Sequence, residues 1–145
     1  DALKGCAKVG VCSEKLWPYI IEKFAIRPTP ECYLEAVQNK IISYHRIIPT
    51  LTLLKGCIVE GYPFTVGIRV FENFPMELGD IPTPKGLELG GHAVDIVGYN
   101  DYVRKFILRN SWGEEWGTKG YGIIPYEYIL DPTLSMDFWT VRLVQ

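Results

Sequence analysis

Two residues flanking a turn signal carry the chemistry of this sequence. His92 lies in Gly-Gly-His-Ala-Val-Asp-Ile-Val-Gly-Tyr, and Asn110 lies in Phe-Ile-Leu-Arg-Asn-Ser-Trp-Gly. Between them, Asn100-Asp101 reads as a turn joining two strands. With the hairpin centred on Asp101, His92 lies nine residues before the centre and Asn110 nine after it. An antiparallel pairing then sets the two opposite each other, with Cβ atoms about 4.5–5.5 Å apart. In this register Val94 faces Leu108 and Ile96 faces Phe106, an apolar face with His92 and Asn110 at its open end. Asp95 and Arg109 fall on the other face. A one-residue slip would reverse that sorting, so the pattern itself specifies the register.

An asparagine carbonyl beside an imidazole holds the ring in one tautomer and one orientation. The other ring nitrogen is then free to take a proton from a nucleophile. This is two thirds of a Cys-His-Asn site. The third member is a thiol, whose pKa falls to roughly 3–4 in a thiolate–imidazolium pair. Neither residue implies this alone: a lone histidine at a strand end is usually a half-buried polar group, and a lone asparagine after a strand is usually a turn former. The combination with the residues after Asn110 carries the reading.

The elements that must position this pair follow from pattern and punctuation. Residues 1–9 read as the end of a helix stopped by Gly10, residues 27–30 as a proline-restricted loop, and residues 31–38 as a short helix. Residues 40–48 are rich in β-branched and aromatic side chains and predict a strand. Thr50 is placed to cap a helix carrying Leu51, Leu54, Ile58 and Val59 and ending near Gly61. Strands are expected over 63–71, 92–99, 103–110, 120–124 and 136–144, with a turn over 126–134. Residues 73–89 form a long loop with three prolines, of a length that is often functional or mobile. The expected fold class is α+β: residues 1–42 come from a helical lobe, and residues 43–145 form an antiparallel, barrel-like β-rich lobe that bears His92 and Asn110.

Composition narrows the function classes. Of 145 residues, 48% are hydrophobic and 22% charged, which is ordinary globular usage with enough apolar material for a core. The net charge is −2 and no basic stripe stands out, which argues against a nucleic-acid partner. No apolar run approaches the roughly 18 residues of a membrane span. Cys6, Cys12, Cys32 and Cys57 are irregularly spaced with no C-x-x-C pair, which argues against a zinc site; no metal or other cofactor is expected. Cys57 sits in an apolar helical stretch and reads as a buried free thiol. His45 reads as a surface residue, Trp17, Trp116 and Trp139 as packing residues, and Glu114-Glu115 as a solvated loop. Gly113, Gly117 and Gly120 read as turn formers around Trp112.

Asn110-Ser111-Trp112-Gly113, followed by Trp116-Gly117 and Gly120-Tyr121, resembles the asparagine signature of papain-like cysteine peptidases. Gly91-His92-Ala93-Val94 through Val97-Gly98-Tyr99 is similar to their histidine signature, in the same order and at a similar interval. The strand 105–109 sits where that family has the strand leading to its asparagine. Gly10-Val11-Cys12 to Trp17-Pro18-Tyr19, and Gly61-Tyr62-Pro63-Phe64 to Gly67, extend the likeness over essentially the whole chain. It is nearer to microbial or viral members than to lysosomal ones. The resemblance implies that His92 is general base and imidazolium partner, that Asn110 orients it, and that Trp112 shields their hydrogen bond. It places Gly91 beside the substrate backbone, Gly67 on the wall of the main specificity pocket and Met136 at its base. The substrate it implies is a peptide or protein.

One departure bears directly on activity. The family's nucleophile lies in a Gln-x-x-x-Cys segment opening a long helix, and nothing here matches it: Gln38 and Gln145 precede no cysteine at that spacing. Nucleophile and oxyanion-hole donor are therefore expected in an N-terminal segment of the same protein, since the chain opens on Asp1 inside what reads as a helix. That segment is also an expected binding partner, because a part of one lobe leaves an apolar face open to association. Two competing readings are a non-catalytic binding or inhibitory module of the same fold, and Cys57 or Cys12 as a substitute nucleophile. An intact His92–Asn110 pair argues against the first, and no placement opposite His92 supports the second.

Overall fold

The computed structural model describes every residue except Met76, which lies inside the predicted loop 73–89. The described residues form two compact units, Asp1–Tyr44 with Val141–Gln145, and His45–Thr140. The division falls after Tyr44. The chain's last five residues return to the first unit, where Gln145 N–H donates to Lys40 O at 2.9 Å.

The first unit holds α1 (Ala2–Lys8), a 3-10 turn over Ile21–Lys23, and α2 (Pro30–Ala36). Thr29 is extended before α2, and Pro30 supplies a preset helical φ at a position whose N–H no helix bond needs. Cys32 and Ala36 are the residues α2 buries. Gly10 has φ +93°, and a Cβ there would lie 1.8 Å from Ala36 O, so only glycine lets the chain pass α2 this closely.

The second unit is a helix on a sheet. Thr50 Oγ1 accepts from Leu53 N–H at 3.3 Å and caps α3 (Leu51–Val59), as its position predicts. Leu54 and Cys57 are buried, with Leu51 and Ile58 packed half-buried on the core. Val59, expected on that apolar stripe, is 72% exposed because it closes the last turn of α3 beyond the core's edge. The strands of the chain are β1 (Ile41–Arg46), β2 (Phe64–Phe71), β3 (Glu88–Asn100), β4 (Lys105–Arg109), β5 (Tyr121–Pro125) and β6 (Ser135–Val144), in sheet order β1-β6-β2-β3-β4-β5, with residues 41–44 of β1 and 141–144 of β6 counted in the first unit. The fold is α+β, as the sequence implies.

Period-two burial builds the core face: Phe64, Val66 and Ile68 on β2, Val94 and Ile96 on β3, Phe106 and Leu108 on β4. Phe106 packs edge-on against Phe64 at 6.1 Å and beside Tyr126 at 4.7 Å. The segment expected as a turn over 126–134 begins instead with α4 (Tyr126–Leu130). Pro125 ends β5 at φ −56°, and Tyr126, Tyr128 and Ile129 are buried. The long loop is pinned at Asn73, Phe74, Ile81 and Thr83. Ile81 N–H donates to Ile123 O at 2.9 Å, Asn73 Nδ2 donates to Thr83 O at 2.8 Å, and Phe74 and Ile81 are buried.

Candidate active site

The β3–β4 hairpin positions the pair by a different register from the one centred on Asp101. Asn100 pairs with Lys105, so the turn occupies residues 101–104; Asn100 Oδ1 accepts Tyr102 N–H at 2.9 Å, and Arg104 takes φ 53°. Asn100 starts the turn instead of sitting near its centre. Further along, an irregularity between Ile96 and Gly98 shifts the register by one, after which Ile96 pairs with Leu108 and Asp95 with Arg109. Continued, that register sets Val94 across from Asn110, so His92 and Asn110 are diagonal neighbours rather than opposed. The predicted Val94–Leu108 and Ile96–Phe106 pairs are displaced by the same two residues. An even displacement preserves the facing of side chains, so His92 and Asn110 still share the core face. Without the bulge the offset would be three and Asn110 would point away from His92.

The side chains meet. His92 Nε2 and Asn110 Oδ1 are 2.8 Å apart. Asn110 is buried at 8% exposure, and the backbone N–H of Ser111 donates to the same Oδ1 at 2.8 Å. A backbone N–H can only donate, so this second bond identifies that atom as the oxygen. His92 must then carry a proton on Nε2, and in the neutral ring its Nδ1 is the free base. Asn110 Nδ2 makes no hydrogen bond among the described residues, so the amide acts on its surroundings through its oxygen.

Trp112 covers the pair. Its ring stacks on His92 with centroids 4.9 Å apart and planes 28° from parallel. Phe74 and Trp116 meet Trp112 edge-on at 5.8 and 5.9 Å. Trp116 is itself buried, and its Nε1 donates to Pro75 O at 3.1 Å. Gly117, with φ +58°, allows the turn here, because a Cβ would lie 2.3 Å from Tyr121 O. The sequence placed Trp116 as packing but gave no sign of Phe74, which lies in a loop where no periodicity marks it.

On its other side His92 borders a cavity of about 500 Å³ that Gly67, Ile68, Gly91, Ala93 and Met136 also line. Gly67 and Met136 are cross-strand neighbours of β2 and β6. A Cβ on Gly91 would meet nothing closer than Ile68 O at 3.9 Å, so the two glycines leave this wall open. The charges on the cavity come from Arg69 and Glu88, paired at 2.8 Å, and from Asp137. No cysteine lines it. Cys57 is buried on α3, with Sγ–H donating to Tyr62 O at 3.3 Å. His45 is exposed. Among the described residues no cluster of three or more His, Cys, Asp or Glu is placed to hold a metal, and no helix is long and apolar enough to cross a membrane.

Comparison with known proteins gives a consistent set of likenesses. Residues 1–128 match the family model described as papain family cysteine protease. The chain is 38% identical over 156 residues to an uncharacterized peptidase C1-like protein, L477, of Acanthamoeba polyphaga mimivirus, covering 98% of this chain and 50% of that one. It is 31% identical over 126 residues to chymopapain of Carica papaya, covering 83% of this chain and 34% of the other. Its fold matches that of xylellain, a cysteine protease from Xylella fastidiosa, with a TM-score of 0.89 at 36% identity over 99% of this chain and 60% of that one. The chain thus spans half the length of its mimiviral relative.

Proposed function

This chain belongs to the papain family of cysteine proteases, and we propose that it supplies the imidazole half of a Cys-His-Asn peptidase site. The observation that carries the reading is the 2.8 Å bond from His92 to an asparagine oxygen whose identity the Ser111 N–H fixes. The thiol and the oxyanion-hole donor come from an N-terminal segment of the same protein, which binds this chain as its structural partner. The substrate is a peptide or protein.

In this mechanism His92 Nδ1 takes the proton of the thiol. The imidazolium is held by Nε2–H donating to Asn110 Oδ1, a charge-assisted bond. The thiolate attacks the scissile carbonyl, and the His92 proton passes from Nδ1 to the leaving amine. Water, deprotonated at Nδ1, then releases the acyl group from sulfur. Trp112 keeps water from the His92–Asn110 bond on one face of the ring. The backbone of a bound peptide lies beside Gly91, and a substrate side chain enters the cavity between Gly67 and Met136.

Hydrolysis of a fluorogenic peptide by the full-length protein tests this. His92→Ala is expected to lower kcat/KM about 10³-fold or more, within the range of general acid–base catalysis. Tight peptide binding with no turnover by the unaltered protein would instead identify a non-catalytic module of this fold.

A further inference from the structure

The cavity beside His92 owes two of its lining residues to an irregularity in β6. Met136 and Asp137 are adjacent in sequence, yet both line the cavity. Successive residues of a regular strand face opposite sides of the sheet. Here Thr65 pairs with Trp139 and Gly67 with Met136, so Asp137 and Phe138 together stand across from Val66 alone. That is a β-bulge, which re-aims the side chains around it. Asp137 takes φ 61°, a left-handed conformation that aspartate tolerates better than most residues. Burial follows the bulge: Ser135 and Phe138 are buried, while Met136 and Asp137 between them are exposed.

The charges on this cavity do not cancel. Arg69 Nη1 donates to Glu88 Oε2 at 2.8 Å and Arg69 Nε is buried, so this guanidinium is not open to an acid. Asp137 is left as the third charge. Its contacts are long, 3.4 Å from Trp139 Nε1 and 4.0 Å from the exposed Arg46, and both use Oδ1. Among the described residues nothing bonds Oδ2, which can accept from a ligand. Beside it Gly67 offers no side chain, and its cross-strand neighbour Met136 offers a flexible thioether. A side chain with an aliphatic stem and a cationic end suits this wall, its stem against Met136 and its charge at Asp137.

We propose that Asp137 makes this cavity select a basic residue, arginine or lysine, of the bound peptide. The inference rests on the peptide-binding reading above and adds the class of side chain to it. Asp137 is exposed, so the pair it makes is a screened one, giving about a twofold to fivefold preference over an uncharged side chain of similar length.

The test scans fluorogenic peptides with the full-length protein, placing arginine, lysine, norleucine or glutamate at each position before the scissile bond in turn. At one position, arginine and lysine should exceed norleucine in kcat/KM by that factor, with glutamate the poorest. Asp137→Asn keeps the size and the tolerance of a left-handed backbone but removes the charge, and should bring the ratio near one. Raising the salt from about 0.1 M to about 1 M shortens the screening length to about 3 Å and should shrink the ratio too. Norleucine equal to or better than arginine at every position, or a basic preference that Asp137→Asn leaves intact, would overturn the proposal. Cleavage of no peptide would count against the peptidase reading and not against this one. The same peptides, dye-labelled, then report the preference as a ratio of Kd values by fluorescence anisotropy. The same ratio, lost in Asp137→Asn, is expected there; equal Kd values, or no binding of any peptide, would overturn the proposal.

Discussion

The Asn110 amide decides which His92 nitrogen is free. Its oxygen is committed twice, to Ser111 N–H and to His92 Nε2–H, so the proton sits on Nε2 and the lone pair on Nδ1. Nitrogen-15 imidazole spectra of this chain should show the Nε2–H tautomer for His92 in the neutral ring. Asn110→Ala should return it to a tautomer mixture. In the full-length protein the same substitution removes a hydrogen bond to the imidazolium, a loss of about 1.5–3 kcal/mol, so kcat/KM should fall about 10–100-fold. Unchanged kinetics would mean that the ring is oriented by something else, with the Trp112 stack the first alternative. The residues of this pair were legible in the sequence because two signatures flank one turn. The Ser111 N–H contact was not, since a backbone donor leaves no mark in residue type, and neither was Phe74, whose loop has no period.

The hairpin carries the geometry at the scale of elements. The sequence showed two strands of alternating character, and alternation fixes facing more firmly than it fixes pairing. Asn100 was read as near the turn's centre and in fact begins a longer turn, which moves the register by three. The irregularity at residues 96–98 takes one of those back, and the even remainder keeps His92 and Asn110 together. No residue pattern marks such a bulge, because it is set by the turn at one end and the core pairs at the other. Those core pairs can be tested. Phe106 is fully buried between Phe64 and Tyr126, so Phe106→Ala should destabilise the fold by about 3–5 kcal/mol, read by denaturant unfolding. A cost below 1 kcal/mol would show that β4 does not anchor the hairpin. Similarly, α4 was missed because five residues are too few to show helical periodicity; tertiary burial of Tyr126, Tyr128 and Ile129 makes that helix.

Over the whole molecule, charge and burial set a pH window. The Lys55 ammonium and the Tyr126 hydroxyl bond Asp101 and hold its carboxyl below the usual range; Arg104 does the same for Glu127, and the Thr133 hydroxyl for Asp131. Depressed carboxylates stabilise the fold above their unfolded pKa values, and that stability is lost as pH falls through the folded ones. Burial pushes the Tyr126 and Tyr128 phenols up to about 12, so their contribution is complete below the ordinary tyrosine value and lost as pH rises through 12. Stability should therefore be level between about pH 5 and 9, falling below pH 4 and above pH 10, in urea unfolding followed by tryptophan fluorescence. A maximum outside that plateau would contradict the assignment. The α+β class and the β-rich part were legible in strand spacing. The return of Val141–Gln145 to the first unit was not, because it depends on pairing between residues distant in sequence, such as Gln145 with Lys40. The central claim is that His92 serves a thiol outside these 145 residues. It is tested most directly by labelling the full-length protein with a peptidyl epoxide at mildly acid pH and mapping the adduct by mass. The expected result is a single adduct on a cysteine N-terminal to Asp1, formed about 100-fold or more slowly in His92→Ala. An adduct on Cys6, Cys12, Cys32 or Cys57, or labelling indifferent to His92, would contradict it.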